Sequence, residues 1–308
     1  MSSMAAVPPR HQSADTHKYS VLFVFAAGVL WSTVGLGIRL IEEATVWQIL
    51  LYRSLSMSLF LYVVIRLRSG ESPFVQLRRT GFPAVIAGLA LVAAYSGGIY
   101  SIQNTSVANA MLLFATAPFM AAVLGWLVLK EPVRIATWIA IAVALGGIAI
   151  MAADKSGNVV FKGSLAALGS AFGFAVFTVA LRWGRTAEML PSVFLSGLFG
   201  FVITLTICHF QELSIALSLR DGSVAISMGV FQVGAGLILY TLGSRSLPAA
   251  ELALLSLAEV LLGPFWVWLF LGETASVNTL IGGTVLLAAI AGNALSGKRR
   301  KPPPITAP

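Results

Sequence analysis

Ten hydrophobic stretches lie between Tyr19 and Ser296, separated by short polar connections, and they restrict this chain more than any other feature. A membrane-crossing helix needs about 20 mostly apolar residues. The stretches near 19–41, 47–66, 82–101, 106–129, 134–152, 161–183, 191–211, 222–242, 249–271 and 276–296 meet or approach that length. Little chain remains for a soluble domain, so the function is carried out within the membrane. Charged residues make up 10% of the chain, against about 25% in soluble domains. Lipid supplies no hydrogen-bonding partner, so an all-α membrane protein of ten transmembrane helices is the expected fold class.

A net charge of +8 invites a nucleic-acid reading, but its distribution argues otherwise. With the N-terminus placed in the cytoplasm, fifteen of the twenty basic residues fall on that side: Arg10, Lys18, Arg66, Arg68, Arg78, Arg79, Lys130, Arg134, Arg182, Arg185, Arg245, Lys298, Arg299, Arg300 and Lys301. The opposite side holds Lys155, Lys162 and Arg220, while Arg39 and Arg53 lie inside spans. This positive-inside bias predicts an inner or plasma membrane protein with both termini cytoplasmic. The one cysteine, Cys208, excludes an internal disulfide and a cysteine-based metal cluster. The first apolar stretch lacks a convincing small-residue cleavage site and reads as a retained helix. The tail KRRKPPPITAP (298–308) is basic, then proline-rich, and reads as disordered.

The chain also repeats. At an offset of 142, Trp126 falls on Trp268, Leu129 on Leu271, Glu131 on Glu273 and Thr137 on Thr279. Earlier in each half, Tyr100 matches Tyr240 at offset 140, and Gly28 and Trp31 match Gly169 and Phe172 at offset 141. The predicted organisation is a tail over 1–18, a first five-helix repeat over 19–152, a second with its leading loop over 153–296, and a basic tail over 297–308. Five is odd, so the second half starts on the opposite side and the two are inverted in the membrane. Inverted repeats are a frequent plan of secondary transporters, with substrate held near the midplane.

On these residues the chain resembles the EamA-type branch of the drug/metabolite transporter superfamily. Leu129-Lys130-Glu131 and Leu271-Gly272-Glu273 resemble its L-G-E signature, with Lys130 replacing glycine in the first copy. Pro118 resembles a proline of the same helix, and Glu259-Val260 resembles its Glu-Pro, with Val260 departing from it. Within the superfamily the chain most resembles YddG-type exporters of aromatic and other amino acids. The resemblance implies a central cavity lined by spans 1, 3, 4, 6, 8 and 9, with spans 5 and 10 peripheral.

Catalytic signatures are missing: there is no phosphate loop, no H-E-x-x-H and no G-x-S-x-G elbow. No catalytic residue, metal ligand or cofactor is expected. Intramembrane polar groups are then the leading candidates. Glu259 sits near mid-span 9, where a charge on a lipid face costs about 2.5–3.5 kcal/mol. It should face the interior, neutralised or paired, and either couple protons, bind an ammonium or make a structural hydrogen bond. Arg53 lies about two turns into span 2, roughly 9 Å deep. Snorkelling outward towards Glu42 or Glu43 is the preferred reading, with a carboxylate anchor the alternative. Arg39 reads as a snorkeller too. Glu131 and Glu273 read as carboxylates capping the helix that follows each.

Among the aromatics Trp31, Tyr95, Tyr100, Phe174, Phe177 and Tyr240, packing is the usual role; Trp47 and Trp138 read as belt residues. Trp31 beside Ser32-Thr33, and Tyr95 beside Ser96-Gly97-Gly98, suit a cavity wall. Gln232, near Gly234 and Gly236, does as well. The cavity candidates are therefore Trp31, Tyr95, Tyr100, Gln232, Tyr240 and Glu259. Gly169 and Gly173 form a G-x-x-x-G packing signal, and Gly97-Gly98, Gly146-Gly147 and Gly282-Gly283 read mostly as packing.

The expected function is export of small amphipathic metabolites, amino acids including aromatic ones foremost, by alternating access. A general drug/metabolite exporter is the alternative; a membrane-embedded enzyme or a receptor-like protein fits less well. Expected partners are a small-molecule substrate and membrane lipid, not nucleic acid; the oligomeric state is left open. The topology is testable in a background lacking Cys208. Single cysteines replacing Gly157 or Asn278 should label from outside, and those replacing Ser69 or Ser296 should not. Reversal at any two positions refutes the arrangement.

Overall fold

In a spanning segment, backbone N–H and C=O groups must find partners inside the helix, because lipid has none to give. A computed structural model describes residues 10–153, 158–184, 189–244 and 246–298. Among the described residues there are ten membrane-length helices and no strand. Spans 1 to 5 are His17–Arg39, Val46–Ser69, Phe82–Asn104, Val107–Val128 and Ile135–Ala152. Spans 6 to 10 are Val160–Trp183, Leu190–Phe210, Leu219–Ser244, Glu251–Leu271 and Val277–Gly297. Every boundary falls within three residues of its expected place. Lys155, Gly157, Arg185, Arg245, Arg299, Arg300 and Lys301 lie outside the described residues.

The inverted repeat is written in the packing. Exchanging each span with the one five places away turns the 3–6 contact into 8–1, the 3–7 contact into 8–2, and the 4–6 contact into 9–1. The pairs 2–7, 4–9 and 5–10 map onto themselves. Small residues allow the closest approaches. Gly97 of span 3 lies on the span 6 backbone at Ala166 and Ser170, Gly173 of span 6 lies on Ala90 and Ala94, and the Ser170 hydroxyl donates to the Ala94 carbonyl at 2.7 Å. Gly147 and Gly282 face each other across spans 5 and 10. Two expected packing positions do not pack: Gly169 and Gly146 face open space.

Three spans depart from regular α-helix. Span 1 breaks at Thr33, where the Ser32 and Thr33 hydroxyls donate back to the Val29 and Leu30 carbonyls. Span 4 breaks at Ala115–Thr116, one turn before Pro118, which has no N–H for the Phe114 carbonyl. Span 8 carries a π-helical segment, Met228–Ala235. A π-helix bonds i→i+5 and turns through fewer degrees per residue, so it rotates all that follows it.

The L-G-E turn survives its substitution. Gly272 closes span 9 at φ 68°, and Lys130 holds the equivalent place at φ 58°. A side chain in this left-handed region costs roughly 1–2 kcal/mol, offset in part by the greater unfolded freedom of glycine. Lys130→Gly should therefore raise the melting temperature in detergent, by up to about 1 kcal/mol of stability, whereas Lys130→Ala should not. Equal loss in both variants would show that the lysine side chain, not the backbone, decides this turn.

Candidate functional site

The π segment of span 8 organises the interior. Its glycines admit neighbours that a side chain would displace: Gly229 lies against the Arg53 carbonyl and Ser56 of span 2, and Gly234 against Phe60. Just beyond, Gly236 seats the Trp31 indole of span 1. Gln232 sits within this segment, 7% exposed, and its Oε1 has no hydrogen-bond partner. One turn past Gly236, Tyr240 packs on Trp31 with ring centroids 5.2 Å apart. Tyr240 also lies within electrostatic reach of Glu259 on span 9. Gly28, one turn before Trp31, lies against the Glu259 backbone. Trp31, Tyr240 and Glu259 thus converge from spans 1, 8 and 9, and Gln232 lies one turn before Gly236 on span 8.

A second group adjoins through the span 2–8 contact. The Arg53 guanidinium carbon stands 4.7 Å from the centre of the Tyr95 ring on span 3. The Tyr95 hydroxyl reaches towards Ser196 of span 7, whose own hydroxyl donates to the Val193 carbonyl at 2.7 Å. Trp31 and Tyr95 border one buried apolar cluster that includes Met57, Leu61, Val233 and Leu237. The snorkelling reading of Arg53 is overturned: the side chain is 5% exposed, turned inward, and Glu42 pairs with Arg220 instead. The cation–π contact contributes up to about 2 kcal/mol when desolvated.

Tyr100 stands apart. It is 38% exposed on the stripe of span 3 that also exposes Leu89. Its repeat mate Tyr240 faces inward because the π segment rotates span 8 just before it, while span 3 is α-helical throughout. Phe174, half-exposed, and buried Phe177 pack on each other in span 6. Val260 and Leu261 line a separate apolar groove of about 460 Å³ between spans 4, 9 and 10. Among the described residues, no group of three or more His, Cys, Asp or Glu could hold a metal ion.

Two ion pairs hold the ends of the bundle, and the repeat relates them. Arg39 Nε donates to Glu273 Oε2 at 2.8 Å, and its Nη2 donates to the Thr105 carbonyl at 2.8 Å. Glu273 Oε1 accepts the Val107 N–H at 2.7 Å. At the other end Arg182 pairs with Glu131. The capping expectation is corrected: Glu273 caps span 4 rather than span 10, and Glu131 serves Arg182. Arg39 is likewise paired rather than snorkelling.

The end away from the termini carries further links between halves. Buried Asp221 accepts the N–H groups of Glu42, Glu43 and Ala44 at 3.1–3.2 Å. Gln48 and Tyr52 donate to the Ser214 and Ile215 carbonyls. At the terminal end, the ion pairs His17–Glu251 and Glu131–Arg182 and the Thr137–Asn293 hydrogen bond join the halves, with ring contacts Tyr62–Phe194, Phe74–Phe194 and Phe82–Trp183 beside them. Sequence reasoning missed Asp221, and it named Arg53 but preferred the snorkelling reading to the carboxylate anchor. The depth of Arg53 was a signal; for Asp221 it was Ser218, which caps its helix start. Glu273→Ala strands Arg39 and the Val107 N–H, so it should lower the melting temperature in detergent by an amount matching about 1–3 kcal/mol. Glu71→Ala, which breaks an exposed pair with Arg79, should leave it within about 1 kcal/mol. Equal effects would contradict the sealing role of Glu273.

Known proteins share this architecture. Residues 18–153 and 161–295 each match the EamA-like transporter family. The chain is 24% identical over 274 residues to "Uncharacterized transporter YwfM" of Bacillus subtilis (strain 168), covering 87% of this chain and 91% of that one. It is 23% identical over 233 residues to an "Uncharacterized transporter" of Methanothermobacter thermautotrophicus, covering 72% and 67% of the two. A solved structure titled "Crystal structure of protein" has the same fold, with a TM-score of 0.62, 18% identity and coverage of 92% of this chain and 100% of that one. Two family matches, one on each five-helix half and together spanning most of the chain, make this protein a member of the EamA-like transporter family.

Proposed function

We propose that this transporter is a secondary exporter of small amphipathic metabolites, amino acids including aromatic ones foremost, working by alternating access at a site between its inverted halves. In this reading the termini are cytoplasmic, and the YddG-type exporters are the apt comparison. One observation carries it: Trp31 of the first half packs on Tyr240 of the second, which lies beside Glu259, and Trp31 and Tyr95 border one buried cluster drawn from both halves. Aromatic faces with one acid and few buried bases suit amphipathic solutes and suit sugar phosphates poorly. The richer polar cross-linking of the end away from the termini supports a state closed to the outside and nearer to opening on the cytoplasm. Glu259 is the group for proton coupling or an ammonium; among the described residues no basic side chain pairs with it.

The test is reconstitution into liposomes with labelled amino acids, nucleosides and cationic dyes, read by uptake and counterflow. Amino acids should exchange; exclusive transport of dyes or nucleosides would overturn the amino acid reading. Trp31→Phe and Tyr95→Phe, which keep a ring in place, should lower transport with melting temperatures near the parent, whereas parallel loss of stability would make them packing residues. Glu259→Gln should abolish gradient-driven accumulation yet keep exchange if protons couple there, and should weaken exchange too if an ammonium binds. Parental transport by Glu259→Gln across pH 5–8, with harm only in Glu259→Leu, would leave a facilitator driven by the substrate gradient.

A further inference from the structure

A buried guanidinium with no anion is incomplete chemistry. Arg53 presents five donors, yet its Nε–H has no acceptor and no carboxylate pairs with it among the described residues. The acids whose side chains are described are accounted for. Glu42 pairs with Arg220, Glu71 with Arg79, Glu131 with Arg182, Glu251 with His17 and Glu273 with Arg39. Asp221 is taken up by three backbone N–H groups, Glu43 and Glu212 are exposed, and Glu259 lies on span 9 beside Tyr240. The Tyr95 ring contributes a π face to the cation but no lone pair in the guanidinium plane, where a bidentate acceptor belongs.

We infer that Arg53, held over the Tyr95 ring, is a carboxylate subsite, which makes the preferred substrates zwitterions or organic acids rather than amines. The inference rests on the proposed transport of amino acids through this interior. Planar guanidinium and planar carboxylate match in charge, shape and donor count. A second buried side chain with an unpartnered atom is Gln232 on span 8, whose Oε1 is an acceptor suited to a substrate N–H. Gly229, three residues before Gln232, packs on the Arg53 backbone, so the two residues belong to neighbouring stretches of spans 2 and 8. Glu259 adds a carboxyl from span 9 beside Tyr240. The Arg53 donor fork complements the acid group of a molecule carrying both an acid and an amine, and Gln232 Oε1 and the Glu259 carboxyl are the interior acceptors available to its amine.

The test uses purified, reconstituted full-length protein and competition against labelled L-phenylalanine counterflow. Unlabelled L-phenylalanine and 3-phenylpropionate should compete, and phenethylamine, lacking the carboxylate, should compete about tenfold less well, as loss of one charge-assisted hydrogen bond implies. Arg53→Gln should narrow that preference to within about twofold, and Arg53→Lys should retain part of it. Equal competition by phenethylamine and L-phenylalanine in the parent protein overturns the subsite while leaving transport intact, and it decides the matter even if the Arg53 variants do not fold. Absence of L-phenylalanine counterflow overturns the amino acid reading and the subsite with it.

Discussion

A lipid interior offers no hydrogen-bond partner, and that one constraint shapes the whole molecule. It makes the spans helical, and it requires deep polar side chains to find partners within the protein. Most hydroxyls comply locally by donating to carbonyls three or four residues back, as Ser96, Thr116, Thr204 and Thr241 do. Others link spans: the Trp266 indole donates to Ser32 across spans 9 and 1. Against this background the deep groups left unsatisfied are conspicuous. Among the described residues they are Arg53 Nε, Gln232 Oε1 and the Ser101 and Ser192 hydroxyls, and Arg53 alone of them carries a full charge.

The inverted repeat gives the molecule two ends of one design. Glu131–Arg182 and Glu273–Arg39 are the same contact made twice, each between the turn after a half's fourth helix and the end of the other half's first. Yet the halves have diverged where function would demand it. Spans 1 and 4 break while their mates 6 and 9 run as continuous helices, span 9 even through Pro264. Span 8 carries the π segment and span 3 does not. Asp221 gathers the 42–44 loop at one end only among the described residues. Equal ends with unequal fastenings suit a protein that opens at one end while the other stays closed.

The large features were legible because they depend on composition alone. Span positions follow from hydropathy, and the two halves follow from Trp126/Trp268 and Glu131/Glu273. What was illegible depends on rotation and partnership. Hydropathy cannot reveal a π segment, so Tyr100 and Tyr240 looked equivalent although the segment turns only Tyr240 inward. Spacing to the next helix suggested capping for Glu273, but its partners Arg39 and Val107 lie far away in sequence. Gly169 fitted a packing motif by spacing, whereas Gly173 alone of that pair meets a neighbouring helix. Arg53 was read as reaching for water because its depth was weighed without Tyr95, which holds it inside.

The central claim is that the interior between the halves is a site opened to each side in turn, and reagent access at Tyr95 tests it most directly. With Cys208→Ala removing the native thiol, Tyr95→Cys places a thiol at mid-depth on span 3. A small, membrane-impermeant thiol reagent should react with it when applied from either side of oriented vesicles. Reaction from neither side would make this region a dry packing interface and contradict the account; reaction from one side only would mean a fixed cavity rather than alternating access.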